Sequence, residues 1–217
     1  MLKKTSPLVG YLRILMALAL FGSVYWQVSD RLAHNLFRPT EYFSYFTITS
    51  CLLSGFVLVT SGIGVLRNQP ETKLMTLSRL TMAVSMVIVG VIYNALLANA
   101  APDERDIGYA WPVLPNQVMH TYMPIVIFLE WLFINTTVGL KLKSAFWVLI
   151  YPLSWLGFTI IRGFSGIENP PFWPYWFIDP QYGIGTMITW ILAISAFFIV
   201  LSLGLLPAQR AIAKVSK

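Results

Sequence analysis

Residues 77–99 read LSRLTMAVSMVIVGVIYNALLAN, an apolar run whose one charge, Arg79, stands near its start. At 1.5 Å per residue, about 20 such residues cross the roughly 30 Å of a bilayer's hydrocarbon core. Five more stretches share this character, at about 9–29, 43–66, 117–138, 144–162 and 183–206. The fifth of the six, Ser144 to Arg162, is the shortest. The chain of 217 residues therefore reads as all-α: one integral membrane domain, 1–217, made of six transmembrane helices. Composition agrees. Only 11% of residues are charged and 57% are hydrophobic, whereas a soluble domain carries about 25% charged residues.

Lysine and arginine set the orientation. Lys3, Lys4, Arg13, Arg67, Lys73, Arg79, Lys141, Lys143, Arg210, Lys214 and Lys217 fall at one end of the runs or in the connections there. Arg31, Arg38, Arg105 and Arg162 fall at the other. The excess of positive charge on the cytoplasmic side of membrane proteins then places both termini in the cytoplasm. Lys3 and Lys4 precede the first run as they would precede a signal peptide. That run is longer than a signal core, carries Arg13 and lacks an A-x-A exit, so it reads as a retained span.

The net charge of +6 is a mark of topology here, not of a nucleic-acid partner. A single cysteine, Cys51, excludes an internal disulfide and a cysteine metal cluster, and His34 and His120 are too few for several haems. The sequence offers no metal-ligand set and calls for no cofactor. Two longer connections lie on the outer side. The first, about 100–116, is acidic around Asp103 and Glu104. The second, about 163–182, contains Pro170-Pro171-Phe172-Trp173-Pro174-Tyr175-Trp176-Phe177. Such aromatic residues suit the headgroup level, as an anchoring belt or as a rim over a cavity.

Depth can be counted from the outer ends of the runs. Thr47, Tyr93, Asn94, His120 and Arg162 all fall within roughly 10 Å of the outer boundary. Ser44, Thr47, Ser50, Cys51 and Ser54 recur at spacings of three and four, which is one helix face. Small and hydroxyl residues on such a face also serve close helix packing. His120 stands inside a span, where ionisable groups are costly, and either bonds a neighbouring carbonyl or acts as a base. A threonine hydroxyl becomes a useful nucleophile only beside such a base. A Thr47–His120 pair would suit cleavage of a lipid-like ester, with Asn116, one turn before His120, orienting the imidazole or binding an oxyanion. Glu130 lies about 15 Å deeper than His120. It is a proton-relay carboxylate, a protonated hydrogen-bond donor, or a group reaching the cytoplasmic rim.

Four segments carry a resemblance: Tyr45-Phe46-Thr47-Ile48-Thr49-Ser50; Val91-Ile92-Tyr93-Asn94; Met119-His120-Thr121-Tyr122-Met123-Pro124 with Leu129-Glu130-Trp131; and Tyr151-Pro152 through Arg162-Gly163 to Phe177-Ile178-Asp179. In this order they resemble bacterial six-helix integral membrane proteins, distant relatives of the androgen-induced and androgen-dependent membrane proteins of animals. The resemblance spans nearly the whole chain. It implies the inner membrane of a bacterial cell, and hydrolysis of fatty acid esters of hydroxy fatty acids by a threonine and a histidine. These fall on Thr47 and His120. Bacterial members tend to carry asparagine where this chain has Cys51, one turn from Thr47; if that asparagine shapes the pocket, substrate choice or activity differs here.

The leading expectation is thus a membrane-embedded threonine hydrolase of a fatty acyl ester, with Tyr93, Asn94, Asn116, Arg162 and Cys51 as substrate contacts and membrane lipid as its surroundings. A small transporter or channel is the second expectation, with Glu130 as its critical carboxylate. A non-catalytic lipid-binding protein is the third.

Overall fold

The computed structural model describes residues 5–100, 104–134, 139–167 and 170–215, and every regular element among them is helical. The main helices are α1 (Pro7–Ala33), α2 (Phe46–Leu66), α3 (Lys73–Ile92, continued by a wider turn, Tyr93–Leu97), α4 (113–133), α5 (Leu142–Phe164) and α6 (Ile184–Val215). Local sequence explains several ends. Ser6 Oγ accepts the Leu8 N–H at 3.3 Å, with Pro7 in the first turn, and Thr72 Oγ1 accepts the Met75 N–H at 3.1 Å. Helices α1 and α2 both close on an asparagine in the left-handed region, Asn35 (φ 57°) and Asn68 (φ 54°). The next N–H in each case reaches back five residues, Leu36 to Arg31 O and Gln69 to Gly64 O, both 2.9 Å.

Five of these helices are long and apolar enough to cross a membrane: Pro7–Ala33, Phe46–Leu66, Lys73–Leu97, Leu142–Phe164 and Ile184–Ile212. Helix α4 matches the fourth expected run but is not among the five. It begins earlier than expected and is helical to Phe133; residues 135–138 of the expected run lie outside the described residues. Asn116, Gln117, His120 and Glu130 lower its apolar character. It is nonetheless packed among helices, against α1, α3 and α6.

Helix α3 is the most enclosed, with 56% of its membrane-length window buried, and α5 the least, with 17%. The first turns of α5 pack on α3 and α6. Its later turns are tied to the start of α2 by side chains: Tyr151 Oη meets Thr49 Oγ1 and Ser50 Oγ at 2.9 Å each, Trp155 Nε1 donates to Ser44 O at 2.8 Å, and Arg162 donates to Ser44 Oγ.

Charged clusters close both ends of the bundle. At the end holding the start of α1, the Glu130 carboxylate accepts from Arg13 Nε at 2.8 Å and from Arg79 Nη2 at 2.7 and 2.8 Å. Arg13 also donates to Ser61 Oγ at 2.6 Å, and Arg79 to both Glu71 oxygens at 3.1 Å. Two arginines and two glutamates thus neutralise one another where water is excluded, the condition under which buried charges are tolerated. At the opposite end Asp106 accepts from Arg31 at 2.9 Å and from Arg38 at 2.8 Å. Arg31 also lies over the rings of Trp111 and Tyr109, which fastens the acidic loop onto α1.

Candidate functional site

Thr47 sits in the first turn of α2, where backbone N–H groups have no helical acceptor. Its N–H donates to the phenol oxygen of Tyr175 at 3.4 Å, and its side chain lies beside the same phenol. Thr47 is buried. The rest of the polar face of α2 has packing roles. Ser44 Oγ donates to Thr40 O at 2.5 Å, Ser50 is held by Tyr151, and Cys51 is fully buried.

His120 lies in a wide turn of α4, Val118–Tyr122, in which the Met123 N–H bonds back five residues to Val118 O. Pro124 explains the distortion. It has no N–H to offer the carbonyl of His120 four residues earlier, and its ring crowds that carbonyl. Asn94 takes the vacant role: its Nδ2 donates to His120 O at 3.1 Å and to Gly90 O at 2.8 Å. Gly90 permits the approach, since a Cβ there would stand 2.9 Å from Pro124 Cβ.

The imidazole is oriented by its own helix. His120 Nδ1 bonds Asn116 O at 2.9 Å. A carbonyl can only accept, so Nδ1 carries the proton, and in the neutral form of the ring Nε2 is the acceptor. Asn116 Nδ2 donates to Tyr93 Oη at 2.6 Å, and the Tyr93 ring stacks on the imidazole, 3.7 Å between centroids and 20° between planes. His120, Asn116 and Tyr93 form one closed unit.

Thr47 and Tyr93 share the wall of a cavity of about 80 Å³, the space within which the centre of a water molecule can move. Helices α2, α3, α5 and α6 supply its sides, with Ile88, Ile92, Leu153 and Phe198 among the apolar surfaces, and the aromatic loop supplies Tyr175, Phe177 and Ile178. The wall is almost wholly apolar; Thr47, Tyr93, Tyr175, Trp155 and Ser195 are the lining residues whose side chains carry a polar group. It suits a hydrocarbon chain with one polar group held at the Thr47 end.

The predicted residues therefore do not form one site. Thr47 and Tyr93 line the cavity; Asn94, Asn116 and His120 stand behind Tyr93, joined to it or to one another. Among the described residues no hydrogen bond joins Thr47 to His120. Arg162 is bound to Ser44 and lies over Phe172, and Cys51 is packed under Thr47's turn, neither of them on the cavity wall. Glu130 is at the far end of the bundle, in the ion cluster with Arg13 and Arg79. Sequence reasoning missed Tyr175. Its aromatic run was visible, but no local signal marks which ring of the run turns toward α2.

Comparison of the chain with protein-family models, with curated proteins and with solved structures finds no match.

Proposed function

We propose that this protein crosses a bacterial inner membrane six times, with both termini in the cytoplasm, and hydrolyses a lipid-like fatty acyl ester in the cavity at Thr47. Helix α4 is long enough to be the sixth span, and its polar groups are met inside the bundle rather than by lipid. The excess of lysine and arginine at the end holding the start of α1 supports the orientation. One observation carries the catalytic reading: a buried threonine stands on the wall of an apolar cavity whose neighbouring tyrosine is stacked on an imidazole oriented through Nδ1 by Asn116 O. The ordered motifs that resemble the androgen-induced family point to the same two residues.

In this reading the acyl chain lies along the apolar wall and its carbonyl stands at Thr47. The threonine oxygen attacks the carbonyl carbon while its proton passes to His120 Nε2. The alcohol leaves with that proton, and water then splits the acyl-threonine with His120 again as base. Because Thr47 is bonded to Tyr175 in the resting state, reaction requires the substrate to draw Thr47 and His120 together; catalytic hydrogen bonds often tighten only in the complex.

The same Thr47–Tyr175 bond favours a second reading, a lipid-binding protein without turnover. The transport reading is weakened by the pairing of Glu130 with two arginines, which leaves it no free carboxylate. Treatment of the purified protein with an alkyl fluorophosphonate, read by intact mass, separates the first two. A single adduct on wild type, absent from Thr47→Ala and reduced in His120→Ala, supports the hydrolase. A folded wild type that retains lipid in native mass spectra but takes no adduct supports lipid binding alone.

A further inference from the structure

We infer that Tyr175 is a catalytic residue of the proposed hydrolase, donating its phenolic O–H to the oxyanion that forms when Thr47 attacks an ester carbonyl. The inference rests on the hydrolase reading and deepens it. The ring of Tyr175 is fixed by its neighbours: stacked on Phe177 at 5.2 Å with 6° between planes, edge-on to Tyr45 at 5.8 Å, and tilted against Trp155 at 5.9 Å. Tyr45 caps α2, Trp155 is pinned to Ser44 O, and Phe177 is buried. The phenol oxygen is therefore held at the first turn of α2, next to both the N–H and the side chain of Thr47, and Tyr175 itself forms part of the cavity wall.

A donor aimed at developing charge must be in place before the reaction and must keep its proton. Loss of water around the phenol pushes its pKa up to about 12, so it is an O–H donor throughout the physiological range. In the resting state the backbone N–H of Thr47 donates to the phenol oxygen at 3.4 Å; it has no helical acceptor, so when the phenol turns to the oxyanion this N–H is released to serve as companion donor.

The electrons balance in two half-reactions. The Thr47 oxygen forms a bond to the carbonyl carbon, its proton goes to His120, and the carbonyl π pair moves onto oxygen facing Tyr175 and the Thr47 N–H. When that pair returns, the bond to the alkoxy oxygen breaks and the alkoxide takes the proton from the imidazolium. Water repeats the sequence on the acyl-threonine and releases a carboxylic acid. Tyr175 gives up no proton in either half; it donates a hydrogen bond.

Tyr175→Phe keeps the ring and removes the donor. The experiment compares wild type and Tyr175→Phe in detergent by three readouts: the rate of fluorophosphonate adduct formation, kcat and KM for p-nitrophenyl octanoate, and the melting temperature. The expected result is a fall of about 100-fold or more in adduct rate and kcat, with KM and melting temperature unchanged. Wild-type rates in a folded Tyr175→Phe overturn the inference and leave the hydrolase reading intact. A Tyr175→Phe protein that fails to fold, or that changes KM alone, assigns the residue to packing and also overturns it. No adduct and no turnover in wild type remove the hydrolase reading itself, and the role of Tyr175 with it.

Discussion

The side-chain amide of Asn94 donates to the main-chain carbonyl of His120, 3.1 Å away, and that carbonyl is the one Pro124 leaves without a helical donor. A defect in one helix is thus completed by a side chain from another. Interhelical hydrogen bonds of this kind contribute about 0.5–2 kcal/mol in membrane proteins. Asn94→Ala is expected to cost that much in the wild type. It is expected to cost less in a Pro124→Ala background, where residue 124 supplies its own N–H. A double-mutant cycle of unfolding in detergent measures the difference; strictly additive effects would refute the relationship.

Glu130 is expected to act as a structural anion. Glu130→Gln leaves Arg13 and Arg79 facing each other without their shared carboxylate. Uncompensated buried charge typically costs about 3–5 kcal/mol. Replacing the pair together, Arg13→Met with Glu130→Gln, should restore part of the loss, because Arg79 keeps Glu71. Melting temperatures of wild type and the two variants decide this. A Glu130→Gln protein as stable as wild type but defective in liposome flux would favour the transport reading instead.

Gly163 marks where α5 meets the aromatic loop. A Cβ at this position would overlap the indole of Trp173. Gly163→Ala is therefore expected to displace Trp173, with an overpacking cost of about 1–3 kcal/mol, and to shift tryptophan emission. Trp173→Leu in the same chain should relieve part of the cost. An unchanged emission spectrum and melting temperature in Gly163→Ala would show that the ring has room to move.

Cys51 is the chain's one thiol and is fully buried, one turn from Thr47. A buried thiol is inert to reagents that need the exposed thiolate. Maleimide is expected to label the native protein slowly and the denatured protein fully, so the labelling rate also reports the integrity of the α2 start in every Thr47 variant. Rapid labelling of native wild type would contradict the packing of that helix face.

Much of the fold is legible along the chain because length and apolarity add up residue by residue. Five of the six apolar runs give membrane-length helices. Helix α4 is harder to read. Its polar residues look unsuited to lipid until the bundle supplies their partners: Asn116 meets Tyr93, the carbonyl of His120 meets Asn94, and Glu130 meets two arginines.

The sequence by itself determined that Thr47, Tyr93, Asn94 and His120 stand at similar depth, since depth follows from the rise per residue. Only the tertiary structure decided which of these groups touch. Thr47 meets Tyr175, 128 residues away, rather than His120, and Glu130 meets Arg13 across 117 residues. Such pairings depend on the order and rotation of whole helices. In a bundle surrounded by lipid, apolar side chains face both neighbours and solvent, so the hydrophobic pattern of one helix carries little record of either.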